Sequence, residues 1–188
     1  MTIAWTQYAR RAGRRTRFEV RSADFPGLFE EEAHRLRTAL GPVALRIEHV
    51  GSTSVPGLAA KPVIDMQVSV ASLVPHGRYV ETMATLGYRH VALGDFDLVY
   101  PIFHKPAQWP STHHVHLCDA GGEQEWMHLA FGDYLRAHPQ VAREYEAFKR
   151  ELACAHDNET LKSSEAFSLA KSGFVAKVLR VATAGRDA

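Results

Sequence analysis

A short loop of small residues, Gly51, Ser52, Thr53 and Ser54, separates two apolar runs, and the second run carries a lone acid, Asp65. Glycine lets a backbone approach an anion closely, and successive backbone N–H groups form a concave anion site. This order predicts a phosphate-binding loop next to a metal-binding carboxylate. The alternative is an ordinary turn capped by Ser and Thr side chains, since the spacing of a Walker loop is absent.

Asp65 needs a partner, because an unpaired carboxylate is expensive to bury within an apolar run. Lys61 and Arg46 are candidate structural partners, and a metal or a phosphate site is the functional alternative that the nearby loop favours. Side chains alternate along a strand, so Asp65, Gln67 and Ser69 are expected on one face and the apolar residues on the other.

Two histidines, His114 and His116, are predicted on one face of a later strand. Imidazoles in this arrangement can bind a transition metal or contact a phosphate. The alternative is that they are hydrogen-bonded surface groups. The sequence offers no third ligand at close spacing for a zinc site made of histidines alone.

Apolar stripes at helical spacing run through the C-terminal third, and lysines lie among them. Tyr145, Phe148 and Leu152 form one such stripe, which predicts core packing. Lys149 and Lys171 could project toward an anionic ligand, although solvated lysines are the ordinary case.

A sheet and several helices must position these side chains. Apolar periodicity predicts helices over residues 26–40, 73–86, 124–137, 139–153 and 161–182. Strands are predicted over residues 43–50, 62–70, 88–91, 98–104 and 112–118. This order predicts an α+β (or α/β) fold: a mixed β-sheet flanked by helices, with a helical C-terminal third, rather than a clean doubly wound parallel sheet.

Composition bounds the class of protein. The chain has 188 residues, of which 46% are hydrophobic and 23% charged, as in an ordinary globular domain. No apolar run approaches the roughly 20 residues that span a bilayer, and no signal peptide is recognisable. We therefore expect cytoplasmic residence and no membrane partner. Cys118 and Cys154 are expected to be reduced structural cysteines.

A basic N-terminal extension, residues 1–17, is predicted to precede a single domain over residues 18–188. Such a segment could hold phosphate or nucleic acid. The formal net charge of the whole chain is only +1, which offers no wider basic surface. Nucleic acid is therefore not the expected partner, and a small molecule or nucleotide is.

Four motifs, in order, resemble the GrpB-like family (UPF0157) of small bacterial proteins: IEHVGSTSVPGLAAKPVIDMQV, HHVHL, FGDYLRAHPQVAREYEAFKRELA and AKSGFVAKVL. The resemblance covers residues 18–182. That family is placed in the nucleotidyltransferase superfamily, whose members transfer a nucleoside monophosphate from a nucleoside triphosphate. The same module also occurs fused to dephospho-CoA kinase in some bacteria.

The resemblance implies a catalytic acid at Asp65 and a set of nucleotide- or phosphate-binding residues. That set is Gly51, Ser52, Thr53, Ser54, Lys61 and Gln67. It also implies a nucleoside triphosphate as substrate and a divalent metal, Mg²⁺ or Mn²⁺, with Asp65, His114 and His116 as candidate ligands. Superfamily sites usually carry a second acid two residues after the first on the same strand, and here Gln67 stands there without a negative charge.

Two main hypotheses follow. The first is a nucleotidyltransferase-fold protein that binds a nucleotide or phosphorylated small molecule and transfers a nucleoside monophosphate in a metal-dependent reaction. The alternative is a non-catalytic module for ligand sensing or protein interaction, linked to coenzyme A metabolism. Gln67 favours the alternative, while the intact Gly-Ser loop and the polar face around Asp65 favour the first. A metal-dependent hydrolase that uses the histidines is a third hypothesis.

Overall fold

The structure is a computed structural model of the chain. It describes residues 24–75, 77–92, 100–106, 110–155 and 161–184. The predicted extension over residues 1–17 lies outside these residues, as does the side chain of Cys154. Among the helices within these ranges, none is both long and apolar enough to cross a membrane. Cytoplasmic residence stays a prediction.

One mixed sheet forms the centre of the described chain. Its five strands are β1 (Ala44–Val50), β2 (Ile64–Val70), β3 (Arg89–Val91), β4 (Ile102–Lys105) and β5 (His113–Asp119). They lie in the order β1-β2-β5-β4-β3. The β2–β5 pair is parallel and the three other pairs are antiparallel. The predicted mixed sheet is therefore confirmed.

Helices flank the sheet and make up the C-terminal third, as the sequence predicts. They are α1 (Phe25–Leu40), α2 (Gly77–Thr85), α3 (Glu123–Ala137), α4 (Pro139–Ala155), α5 (Leu161–Ala170) and α6 (Ser172–Ala184). The first begins with proline in its first turn and ends at Gly41, whose φ of 60° suits glycine. Short 3₁₀ turns precede β1 and follow it.

The prediction of one helix over residues 161–182 is wrong, because the chain turns at Lys171 between α5 and α6. The Lys171 amide donates to the Ser168 carbonyl at 3.3 Å, a contact three residues back that tightens the end of α5. The Ser172 hydroxyl donates to the Leu169 carbonyl at 2.7 Å, and Gly173 follows with low helix propensity. The break brings Lys171 to the lining of a cavity.

The hydrophobic core lies on one face of the sheet. Alternate residues of β2 pack there against the apolar stripe of α1 and against α2. The buried members are Phe25, Phe29, Ala33, Leu36 and Leu40 of α1, Ile47 of β1, Ile64, Met66, Val68 and Val70 of β2, Tyr79 and Met83 of α2, Phe103, Val115 and Leu117 from β4 and β5, and Leu73 and Tyr88 from the connecting segments. Burial of these side chains against the sheet is the main term that holds α1 and α2 in place.

The other face of the sheet is polar. Asp65 and Gln67 share this face, as predicted from the alternation, and they lie directly beside His114 and His116 in the parallel β2–β5 register. Helix α3 packs across β1, β2 and β5 on this side. The polar residues are therefore covered by helices of the C-terminal third rather than left open to water.

Candidate functional site

Gly51 lies in direct contact with Asp65 at the start of the polar face. Its φ is +69°, and a Cβ at this position would lie 2.5 Å from Asp65 Oδ2. Glycine is therefore required both by the backbone conformation and by the absence of space. The Gly-Ser loop and the acid, predicted as neighbours from the sequence, are in contact in the structure.

The loop hydroxyls have different surroundings. Thr53 is buried, and its Oγ1 donates to the Val63 carbonyl at 3.2 Å. Ser54 Oγ lies 2.8 Å from the Gly51 carbonyl and accepts from Arg136 at 3.1 Å, away from the cavity lining. Ser52 is the loop hydroxyl that meets a buried lysine, as described below. Ser54 thus shapes the loop, whereas Ser52 and Thr53 line the cavity.

Asp65 is held by His114. The carboxylate Oδ1 lies 2.9 Å from His114 Nδ1, and the Asp65 side chain stays 29% exposed. Burial opposes ionisation, but the hydrogen bond from His114 and nearby positive charge outweigh it and hold the pKa of Asp65 well below its usual range. Asp65 is therefore a carboxylate at any physiological pH. Arg46, a candidate partner from the sequence, pairs instead with Glu125 of α3.

Gln67 is held in a chain of hydrogen bonds. His128 Nδ1 donates to Gln67 Oε1 at 2.7 Å, and Tyr100 donates its hydroxyl to His128 Nε2 at 2.5 Å. Burial lowers the pKa of His128 to about 4 and raises that of Tyr100 well above its ordinary value. All three groups are therefore neutral, and both ring nitrogens of His128 are engaged.

The predicted histidine pair lies beside this chain. His116 stacks on Tyr100 with 5.3 Å between ring centroids, and His114 stacks on His104 at 4.1 Å. Burial lowers the pKa of His116 well below 6.5 and that of His104 to about 4. In the described residues, His114 Nε2 and His116 Nδ1 are buried without a hydrogen-bond partner. His116 therefore contributes a neutral imidazole rather than positive charge.

A metal site is the arrangement these residues suit least. Gln67 carries no charge, and its carbonyl oxygen is taken by His128. No group of three His, Cys, Asp or Glu residues in the described part of the chain is arranged to hold a metal ion. The residues on β2 and β5 do not fit a site in which two acids on one strand hold divalent metal.

Lys149 is the buried cation of the site. Its side chain comes from α4, is 3% exposed, and donates from Nζ to Ser52 Oγ at 3.0 Å and to the Ala59 carbonyl at 2.8 Å. The ammonium also lies 4.8 Å from the centroid of Tyr145. Burial, with Lys171 nearby, lowers the pKa of Lys149 to about 7. A nearby anion would restore its charge.

Two further lysines share one aromatic ring. Lys61 Nζ lies 4.3 Å and Lys171 Nζ 5.0 Å from the centroid of Phe167 in α5. Burial lowers the pKa of Lys171, and Asp65 partly offsets this. Both lysines line a cavity of about 420 Å³ together with Lys149, Ser52 and Asp65. This cavity lies between the polar face of the sheet and the C-terminal helices.

Sequence reasoning missed two groups of the site, Tyr100 and His128. A signal for the second was present, because Gln124, Met127, His128 and Phe131 follow the i, i+3, i+4, i+7 spacing of one helix face. All four line the cavity. Tyr100 had no such signal, since it stands alone before a short strand.

The comparisons with known proteins bear on the whole of this arrangement. A family model described as "GrpB protein" matches residues 18–181, which includes every residue of the site. The chain belongs to the GrpB family. A crystal structure of GrpB from Enterococcus faecalis superposes with a TM-score of 0.74 at 34% identity and covers 89% of this chain and 97% of that one. The family assignment made from the motifs is confirmed.

Two curated relatives are longer than the region they share with this GrpB protein. The UPF0157 protein YqkA of Bacillus subtilis is 40% identical over 128 residues, which are 68% of this chain and 37% of YqkA. A dephospho-CoA kinase of Mycolicibacterium paratuberculosis is 33% identical over 150 residues, again 68% of this chain and 37% of the relative. The chain thus spans little more than a third of these two proteins.

Proposed function

We propose that this GrpB protein binds a nucleotide or another phosphorylated small molecule in the cavity, with the phosphate groups against Ser52 and the lysines. The observation that carries the proposal is the charge of the lining, whose described residues include the cations Lys61, Lys149 and Lys171 and the carboxylate Asp65. An ammonium as buried as that of Lys149 is stabilised by a nearby anion. A phosphate chain would supply that counter-charge.

The contacts of Lys149 support phosphate as the anion. Nζ is fixed between Ser52 Oγ and the Ala59 carbonyl, so its position beside the loop does not depend on ligand. A preorganised ammonium next to a loop hydroxyl loses little side-chain entropy when an anion arrives. Lys is a point-charge phosphate ligand in many sites of this kind.

Lysine, rather than metal, is the proposed source of positive charge. Gln67 occupies the strand position at which superfamily sites usually carry a second acid. It is neutral, and its side-chain oxygen is hydrogen-bonded to His128. We therefore expect phosphate binding to persist when divalent cations are removed. Nucleoside monophosphate transfer is a separate hypothesis, and it requires Asp65 and added Mg²⁺ or Mn²⁺.

The binding test is calorimetry with inorganic triphosphate and ATP, each in EDTA and in Mg²⁺. We expect binding in EDTA and at least about a tenfold loss of affinity in Lys171→Met, because one of three ammonium groups is removed. Lys177→Met is the matched control, since Lys177 is exposed on α6 away from the cavity. Absence of binding in every condition, or an equal loss in the control, would contradict the proposal.

The transfer activity has its own test. Release of pyrophosphate from each nucleoside triphosphate with Mn²⁺ is measured for the wild type and for Asp65→Ala. No turnover, or turnover that Asp65→Ala leaves undiminished, would remove the transferase hypothesis and leave the binding proposal standing.

A sensing or interaction module is the second candidate, and the neutral Gln67–His128–Tyr100 chain favours it. The relative named dephospho-CoA kinase suggests coenzyme A metabolism as the setting. Dephospho-CoA and coenzyme A therefore belong in the same calorimetry. Metal-independent binding of either, without turnover, would support this candidate over the transferase.

A further inference from the structure

One wall of the cavity is unlike the lysine end. Helix α3 presents Gln124, Met127, His128 and Phe131 on one face, and Val175 of α6 lines the same space. Helices α3 and α6 pack against each other, so these side chains border one continuous wall. The lysines come from the loop after β1, from α4 and from the turn at residue 171. The cavity therefore has a cationic region and an α3 wall of mostly apolar character.

The α3 wall offers few hydrogen-bonding groups to a ligand. Both nitrogens of His128 are already bonded, one to Gln67 and one to Tyr100. Within this wall, the Gln124 amide is the group that offers both a donor and an acceptor. A sugar, whose hydroxyl groups each need a polar partner, is poorly matched to such a surface. A planar ring with a few polar atoms on one edge is well matched.

We propose that the ligand is a nucleotide whose base lies against Met127 and Phe131, with its edge read by Gln124. This inference rests on the proposed phosphate site and names the class of molecule that occupies it. The thioether of Met127 and the ring of Phe131 make favourable contacts with an aromatic face. A cavity of about 420 Å³ falls in the size range of ordinary ligand sites.

The geometry places the two ends of such a ligand in one space. Lys149 at the loop and Phe131 on α3 are joined through Tyr145, whose ring lies 4.8 Å from Lys149 Nζ and 5.3 Å from the Phe131 ring. The base end and the phosphate end are therefore neighbours in one cavity. A ligand with both chemistries uses the whole lining, whereas inorganic phosphate uses only the cationic region.

The experiment compares ATP with inorganic triphosphate by calorimetry in EDTA at pH 6.5. Contact of a base with apolar and aromatic side chains contributes roughly tenfold in affinity, so we expect ATP to bind about ten times more tightly. Met127→Ala should weaken ATP binding by about fivefold and leave triphosphate binding within about twofold of wild type. Leu129→Ala, on α3 but outside the cavity lining, is the matched control.

Phe131 is unsuitable as the test position, because its ring packs edge-on against buried Tyr145 and its removal would perturb the core. Gln124→Ala is the second variant, and it too should weaken ATP binding while sparing triphosphate. Equal affinities for ATP and triphosphate, or equal losses for both ligands in Met127→Ala, would overturn the nucleotide assignment alone. If neither ligand binds the wild type, the phosphate site itself is wrong and both proposals fall.

Discussion

The two faces of strand β2 differ in what their buried side chains do. Met66 and Gln67 are neighbours in sequence and both are fully buried. Met66 packs into the apolar core beneath α1, whereas Gln67 is bonded to His128 below the cavity. Burial on the first face follows from the hydrophobic effect. Burial of polar side chains on the second face requires matched hydrogen bonds, and these contribute little net stability. We therefore attribute the hydrogen bonds of Gln67 to the shaping of the ligand cavity.

The apolar side has a polar cluster of its own, and the contrast is instructive. Glu32 of α1 accepts from Lys105 at 2.6 Å and from Tyr88 at 3.1 Å. Acid and base are paired there within the chain. Among the described residues that line the cavity there are three lysines and one acid, Asp65, and that acid is bonded to His114. A closed cluster of this kind holds elements together, whereas an excess of cations is typical of an anion site.

The largest effect is expected on the apolar face. Met66→Ala leaves a cavity among residues that are themselves fully buried, so we expect a loss of about 2–5 kcal/mol in the free energy of unfolding. Urea denaturation measures this loss. Leu45→Ala is the control, because Leu45 is 54% exposed on β1 and should cost under about 1 kcal/mol. Affinity for triphosphate should be unchanged in folded Met66→Ala, and a loss as large as that in Lys171→Met would mean that the two faces are not separable.

The sequence was enough to predict this division of the faces, but only part of the site. Strict alternation along β2 placed Asp65 and Gln67 opposite the apolar residues, and the periods of the helices located most elements within a few residues. The contact between Lys149 and Ser52 spans 97 positions. No local pattern encodes it, because the packing of α4 against the loop decides how far the lysine reaches.

Lys171 and Gly51 show where the sequence patterns fail to predict the local structure and where they succeed. Helical periodicity ran through Lys171 without a signal strong enough to predict the turn, which depends on hydroxyl and carbonyl contacts at the end of α5. Gly51, in contrast, was predicted to lie in a loop next to Asp65, and the structure places it there with a positive φ. Local chemistry was predictable here, and long-range side-chain placement was not.

Gly51→Ala separates backbone strain from crowding at the site. Both Gly51 and Gly87 have positive φ, at 69° and 83°, but only at Gly51 would a Cβ meet another residue, Asp65 Oδ2 at 2.5 Å. Each substitution should cost about 1–3 kcal/mol of stability for the positive φ. Gly51→Ala should cost about 1 kcal/mol more and also weaken triphosphate binding. Thermal unfolding and calorimetry give both quantities, and equal behaviour of the two variants would show that the contact with Asp65 is relaxed easily.

The pH dependence of binding tests the buried lysine. Burial lowers the pKa of Lys149 to about 7, so the free protein loses this charge as the pH rises above 7. A bound phosphate raises that pKa, and the complex therefore holds a proton that the free protein has released. Affinity for triphosphate should fall by roughly tenfold from pH 7 to pH 9, with proton uptake on binding near pH 8. Calorimetry in buffers of different ionisation enthalpy measures the uptake.

Lys149→Met should remove most of the dependence of triphosphate affinity on pH, and Lys177→Met should retain it. A steep pH dependence in Lys149→Met would assign the proton to another group.

Asp65→Asn is expected to have the smallest effect on triphosphate affinity. The sign of that effect distinguishes a lysine site from a metal site. The amide keeps an acceptor for His114 but removes the negative charge that faces the phosphate. Without metal we expect triphosphate affinity to rise about threefold at pH 6.5, because the repulsion between the Asp65 carboxylate and the phosphate is lost. We expect this gain to outweigh the lowering of the lysine pKa values that the loss of Asp65 also causes. Asp133→Asn is the control, since its carboxylate is 75% exposed on α3 and should change nothing. If a divalent cation on Asp65 carried the phosphate, the same substitution would lower the affinity measured in Mg²⁺. A rise in EDTA therefore places Asp65 as an opposing charge in a lysine site, unlike Glu32 on the other face, whose charge is matched within the chain.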